Sequence, residues 1–147
     1  MNITFSNEIT FEEYNALRRS INWGELSLRQ FNMIKKNSLF FVIAKIDGVS
    51  IGTTRCVGDG GYHFFLCDVI VHRDFQRLGI GSMLINKFLQ FVDDTVEEGE
   101  TAMITLVSAK DKEPFYKKFG FIERPNEDRG AGMYMFHEKQ NMNKKEG

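Results

Sequence analysis

The chain has only two cysteines among 147 residues, Cys56 and Cys67. Their spacing matches neither a metal-ligand pattern nor a disulfide framework, so they read as two reduced thiols in neighbouring strands. No apolar run reaches the ~20 residues of a membrane span. The N-terminus, MNITFSNEIT, lacks the basic region and apolar run of a signal peptide. Excess charge is lacking too: 19 Lys and Arg stand against 20 Asp and Glu, a net charge of −1. A balance of that kind gives no general attraction to nucleic acid or to an anionic membrane, so any phosphate binding has to be local. There are no internal repeats. The expectation is a soluble cytoplasmic protein that binds neither nucleic acid nor membrane and holds no metal.

What is present suits one domain, since domains most often run to ~100–150 residues. A hydrophobic fraction of 42% and an aromatic fraction of 13% suffice for a packed core. Ile3–Phe5 reads as a first strand. Thr10 with Glu13 forms a capping box stapled by Ile9 and Tyr14, predicting a helix from Phe11 to Ser20. Ser27 with Gln30, stapled by Leu26 and Phe31, repeats the device for a helix ending near Asn37. Two β-rich runs flank Asp47-Gly48, a pair suited to the positive φ of a tight hairpin turn. YHFFLCDVIV is a nearly continuous apolar strand, as expected of one covered on both faces. After Gly79, the positions Leu84, Ile85, Phe88, Leu89 and Val92 repeat at helical spacing. AMITLV reads as a strand, KEPFYKKFG as a short helix and MYMF as a last strand. The fold class is α/β with a mixed sheet, in the order βααβββαβαββ. It forms a single domain over 1–137, followed by a polar tail over 138–147.

The stretch VHRDFQRLGIG joins the apolar strand to the long helix. Gly79 and Gly81 remove Cβ atoms where the chain enters the helix, so a ligand can approach the amides. The first helical N–H groups have no internal partner and lie at the positive end of the dipole. Each dipole contribution is modest, about 0.3–2 kcal/mol, but several amides with the Arg77 guanidinium suit a pyrophosphate. The glycines alone fit a plain tight connection equally well. A dinucleotide fingerprint is excluded because Leu84 stands where the third glycine is needed, and a P-loop because Gly81-Ser82 brings no lysine.

QRLGIG (Gln76–Gly81) resembles the Gln/Arg-x-x-Gly-x-Gly/Ala loop of the GCN5-related N-acetyltransferase superfamily. FYKKFGF (Phe115–Phe121) resembles that superfamily's Tyr-x-x-x-Gly-Phe segment, and the element order agrees across almost the whole chain. The resemblance implies an acetyl-coenzyme A-dependent N-acetyltransferase with splayed central parallel strands. It places the pyrophosphate on the amides of Arg77, Leu78, Gly79, Ile80, Gly81 and Ser82. The pantetheine arm would lie against the backbone of Val69, Ile70 and Val71, as a strand adds to a sheet edge. Tyr116 takes the role of general acid toward the departing thiolate. A phenol of pKa ~10 protonating a thiolate of ~8.5 is uphill by about 2 kcal/mol, so the site has to tune one of them or hydrogen-bond the sulfur without full transfer.

One departure from the family is the missing asparagine before this tyrosine, since SAKDKEP has none; Ser108 or a backbone group is the substitute, and the contact stays unassigned. Asp68, a charge inside an apolar strand, is the candidate base, with a structural aspartate as the competing reading; Glu25 is a weaker base candidate. His63 and His72 read as surface or structural, and Lys110 and Lys112 as solvated. The acceptor side comprises INWGE and RPNEDRGAGM. There Trp23, with Glu25, Glu127 and Asp128, points to a small-molecule amine acceptor of cationic character. A non-catalytic acyl-coenzyme A-binding sensor is the alternative. Members of the family are often homodimers, though no residue here demands it.

Overall fold

The computed structural model describes residues 2–139. It divides into two units, Met1–Leu106 and Val107–Gly147, each taken by itself below. The polar tail expected over 138–147 lies outside the described residues from position 140 on.

In the first unit the order is β1 (Ile3–Ser6), α1 (Phe11–Ser20), α2 (Leu28–Asn37), β2 (Phe40–Ile46), β3 (Val49–Gly58), β4 (His63–Val71), α3 (Ile80–Thr95) and β5 (Met103–Leu106). Both expected capping boxes form. Thr10 and Ser27 accept from the N3 amides of Glu13 and Gln30, whose side chains return to the cap N–H groups. The hairpin between β2 and β3 turns on Asp47 and Gly48, at φ 50° and 81°. The five strands form one sheet in sequence order. Its first three pairings are antiparallel and the fourth, β4 with β5, is parallel across the α3 crossover.

Two apolar clusters fill the two faces of the sheet. On one, Ile9, Tyr14, Leu17 and Phe31 from the α1–α2 side pack on Ile43 and Ile70. On the other, Ile80 and Leu84 of α3 pack on Val42, Ala44 and Ile51. Gly52 permits the second contact. A Cβ there would lie 3.1 Å from the Ile70 carbonyl oxygen and 3.3 Å from Ile80 Cγ2. Its absence lets the first turn of α3 sit close to β3.

Strand β4 departs from the expectation of equal cover on both faces. Phe64, Leu66, Asp68 and Ile70 are buried, while their neighbours are partly exposed. The buried set changes face partway along. Phe64 meets Phe91 of α3 edge-on, whereas Asp68 reaches Tyr14 of α1 and Ile70 joins the α1–α2 cluster. The cause is a β-bulge. Arg55 pairs with Asp68 and Cys56 with Leu66, so Cys67 has no partner across on β3. One extra residue reverses the sidedness of everything after it.

The second unit holds α4 (Glu113–Lys117). Its helix is shorter than the expected 112–120 segment and runs into Gly120 at φ 96°. The final two strands of the expected order do not form among the described residues. A reversal is present, with Asn126 N–H donating to the Arg129 carbonyl at 2.9 Å and Arg124 Nε to Gly130 at 2.6 Å. The flanking segments stay irregular, and Met133, Tyr134, Met135 and Phe136 are 80–91% exposed. Apolar side chains left this exposed supply no packing energy to hold a ladder.

Candidate active site

The turn from β4 to α3 is held by two local bonds and one to α1. After β4 the chain makes a single 3-10 turn over Arg73–Phe75, capped by His72, whose Nδ1 accepts from Asp74 N–H at 3.1 Å. Arg73 Nε donates to the Ser20 carbonyl at the end of α1, at 3.0 Å. Gln76 Nε2 donates back to the Val71 carbonyl, also across 3.1 Å. Arg77 and Gly79 then adopt positive φ, 65° and 82°, on either side of Leu78. Alternating hand in successive residues turns their N–H groups to one side, the arrangement of an anion-binding nest.

Gly79 caps α3 in the left-handed region and makes no side-chain cap bond. The first helical amide bond runs from Met83 N–H to the Gly79 carbonyl at 3.1 Å. Among the described residues of this unit, the N–H groups of Arg77, Leu78, Gly79, Ile80, Gly81 and Ser82 donate to no protein acceptor. A Cβ built on Gly79 meets nothing within 4 Å, so the approach to these amides is open. A row of unpaired donors at the positive end of a 16-residue helix fits a pyrophosphate.

The end of β4 lies beside this turn. His72 N–H donates to the Ile51 carbonyl at 2.8 Å, which fixes the parity of the antiparallel β3–β4 ladder. Asp68 and Ile70 direct their backbone groups to β3; Val69 and Val71 direct theirs the other way. On that other side β4 pairs with β5 only from His63 to Leu66. Beyond Leu66 the two parallel strands share no pairing, so within this unit that edge of β4 is open up to the turn. Within this unit the amide and carbonyl of Val69 and the amide of Val71 have no partner, and the Val71 carbonyl holds Gln76. Ile70 differs from the expectation for this strand: its backbone serves β3 and its side chain is fully buried in the core.

Asp68 sits in a buried cluster of two side-chain partners. It is 6% exposed, and its Oδ2 accepts from Tyr14 Oη and from Arg55 Nε, each at 2.6 Å. Burial, then the Asp68 charge and its hydrogen bond, push the Tyr14 phenol up to about 12. Burial alone would weaken the Arg55 guanidinium's hold on its proton, but the Asp68 carboxylate outweighs it and the pKa rises. Its carboxylate is the counter-ion of a part-buried arginine and the acceptor of a buried phenol, so its Oδ2 is already committed to partners of the chain itself. The base role expected from the sequence does not follow from this geometry. Cys67 is the bulge residue and Cys56 lies across from it on β3; burial raises both thiols, that of Cys56 to about 11.

The loop between α1 and α2 also differs from expectation. Arg18 lies over the Trp23 ring, 5.4 Å from its centroid, and donates from Nε to Gly24 at 2.6 Å. Glu25 is ion-paired with Arg19. The aromatic face and the carboxylate that pointed to a cationic acceptor already hold cations of the chain itself. No signal in the sequence separated these arginines from ordinary helix-end residues. His63 Nε2 lies 2.9 Å from Thr105 Oγ1, a cross-strand surface pair.

In the second unit, Tyr116 stands on α4 between Phe115 and Phe121, both edge-on at 5.1 and 6.0 Å. Burial raises its pKa above the usual 10. Ser108 Oγ bonds the Ala109 carbonyl at 2.7 Å. Among the described residues no group of three or more His, Cys, Asp or Glu is placed to hold a metal, and no helix is long and apolar enough to cross a membrane.

The parallel pairing of β4 with β5 stops at Leu66 and Leu106, and the turn that caps α3 follows β4; comparison with known proteins gives the class of protein this belongs to. The family model "Acetyltransferase (GNAT) family" matches residues 7–121. An uncharacterized N-acetyltransferase, ycf52, from Pyropia yezoensis is 32% identical over 136 residues, 90% of this chain and 76% of that protein. A probable acetyltransferase of unknown function from meticillin-resistant Staphylococcus aureus superposes with a TM-score of 0.81 at 26% identity, covering 92% of this chain and 100% of that one. Arabidopsis thaliana Naa50, in complex with the bisubstrate analogue CoA-Ac-MVNAL, has the same fold at 18% identity, with a TM-score of 0.68 over 85% of this chain and 86% of that one. The chain belongs to the GNAT acetyltransferase family and is an N-acetyltransferase of that type.

Proposed function

We propose that this N-acetyltransferase takes its acetyl group from acetyl-coenzyme A and moves it to a primary amine by direct attack. One observation carries the reading: six adjoining unpaired amides, Arg77 to Ser82, lie next to the open edge of Val69 and Val71. When bound, acetyl-coenzyme A supplies the acetyl group as an activated thioester. The amides of the turn, with the Arg77 guanidinium, hold its pyrophosphate. Val69 and Val71 hold the amides of its extended arm, which adds to the sheet as a strand does. That a related fold holds a coenzyme A-linked analogue agrees with this.

Tyr116 hydrogen-bonds the thiolate as it leaves. With its own pKa raised by burial, full proton transfer is more than the ~2 kcal/mol uphill expected of an ordinary phenol. Its contribution is therefore a short hydrogen bond to developing charge.

For the acceptor, the loop at Trp23 and Glu25 is already matched by Arg18 and Arg19. A cationic acceptor has to displace one of these arginines, whereas an amine without a second positive charge does not. The proposed acceptor is therefore a primary amine of the latter kind. The test is thiol release across a panel of monoamines, diamines and peptide N-termini, with wild type and Arg19→Ala. The reading expects monoamine turnover in both proteins and a gain with diamines only in the variant. Diamines preferred by wild type would overturn the acceptor assignment; no thiol release with any amine would overturn the reaction.

A further inference from the structure

We infer that Asp68, with Arg55 and Tyr14, is a positioning device that holds the open edge of β4 in the geometry the donor needs. The inference rests on the proposed donor site but concerns residues that do not touch the donor. Asp68 stands between the bulge residue Cys67 and Val69, the first residue whose backbone faces the open side. A bulge interrupts the ladder where it occurs, bends the strand and increases its local twist. Here the strand is tied down at that position by two bonds from two other elements. Arg55 on β3 reaches across at 2.6 Å, and Tyr14 on α1 reaches up from the core at 2.6 Å.

The clamp is also anchored at each root. Tyr14 is fully buried among Leu17, Phe31 and Ile43. Arg55 also reaches Ser38 Oγ, at 3.4 Å. Thr54, the neighbour of Arg55, donates from Oγ1 to the Asp68 carbonyl at 2.5 Å, so both the backbone and the side chain of Asp68 are fixed. With Asp68 held, turning the N–H and C=O groups of Val69 and Val71 away from the open side has to break the ion pair as well as the ladder bonds to β3. A buried ionic network of this kind sets the geometry of a site more than it adds net stability.

The test uses Asp68→Asn and Tyr14→Phe in the full chain, with two readouts. The first is binding of acetyl-coenzyme A alongside a saturation rate and its pH profile. Changes in a network behind a site alter affinity by roughly 2–30-fold. Weaker binding of that size in both variants, larger in Asp68→Asn, is the expected result, with the maximal rate and the acidic limb of its pH profile retained. A fall of ~10²–10⁴-fold in the maximal rate with loss of that limb would instead make Asp68 the general base and overturn the inference. Thermal destabilisation with unchanged affinity would overturn it as well.

The second readout needs no ligand. Amide hydrogen exchange at Ile70 and His72, which face β3, should speed up in both variants relative to the other β3–β4 amides. If wild type fails to bind acetyl-coenzyme A, the donor reading fails. Exchange then still decides whether the clamp holds the strand, unchanged protection at Ile70 and His72 refuting it. Should Asp68→Asn not fold, Tyr14→Phe decides alone on the same two readouts.

Discussion

Replacing Gly79 by alanine separates what the turn does for stability from what it does for the ligand, because Gly48 supplies a matched control. Both glycines have left-handed backbone, φ 82° and 81°, and at neither would a Cβ meet an atom within 4 Å. An L-residue held there costs about 1–2 kcal/mol. In a chain of this size each kcal/mol moves the melting midpoint by about 2–4 °C, so each variant should melt roughly 2–8 °C lower. Their ligand affinities should part company. Gly48 lies in the β2–β3 hairpin, whereas Gly79 lies in the middle of the amide row. Alanine at 79 either keeps its strained φ and presents a methyl to the approaching anion, or relaxes and turns an amide away. Losing one hydrogen bond to a charged acceptor costs about 1.5–3 kcal/mol, roughly 10–150-fold in affinity. The assay is isothermal titration with acetyl-coenzyme A below both midpoints. Gly48→Ala should bind as wild type does and Gly79→Ala at least tenfold more weakly. Equal affinity in the two variants would refute the reasoning, since the turn would then be only a tight connection.

Three other outcomes are expected. Tyr116→Phe should slow turnover while leaving acetyl-coenzyme A affinity nearly intact, and in wild type the loss of rate at high pH should set in only above pH 10, because burial raises this phenol and activity needs its protonated form; pH–rate profiles of the two proteins check both. Tyr14 has a folded pKa of about 12 against an ordinary 10, so its contribution to stability is complete below pH 10 and drains away as pH rises from 10 towards 12; denaturation across that window should show a slope that Tyr14→Phe removes. Gly52→Ala places a methyl 3.1 Å from the Ile70 carbonyl of β4 and 3.3 Å from Ile80 of α3, so both neighbours have to give by a few tenths of an ångström. The cost should be about 1–3 kcal/mol in chemical denaturation, typical of overpacking, with weaker acetyl-coenzyme A binding.

Local rules carried much of the architecture. Thr10 with Glu13, Ser27 with Gln30, Asp47-Gly48 and Gly79 each have a side chain or a φ that only one kind of local structure uses, and each stands where expected. The heptad-like set on α3 likewise faces the core, from Leu84 to Val92. The bulge at Cys67 was not legible, because nothing in FFLCDVIV distinguishes a strand with one extra residue from a regular one. Missing the bulge meant missing the change of face, and with it the meeting of Asp68 with Tyr14, 54 positions earlier in the chain. Burial of Asp68 was foreseen; that its charge was already neutralised by Arg55 was not, since cross-strand partners depend on register. Arg18 and Arg19 stand in the last turn of α1 and also cover Trp23 and Glu25, pairings that no local pattern in the sequence marks. MYMF has the composition of a strand but no partner among the described residues, and β propensity without a pairing edge does not make a ladder.

The most direct test of the central claim is residue-resolved amide NMR during titration with acetyl-coenzyme A. The largest shifts are expected at the amides from Arg77 to Ser82 and at Val69 and Val71, with slowed exchange at the same positions. Ile70, bonded to β3, should shift little. Binding that shifts amides elsewhere, or leaves the turn and the open edge of β4 untouched, would contradict it.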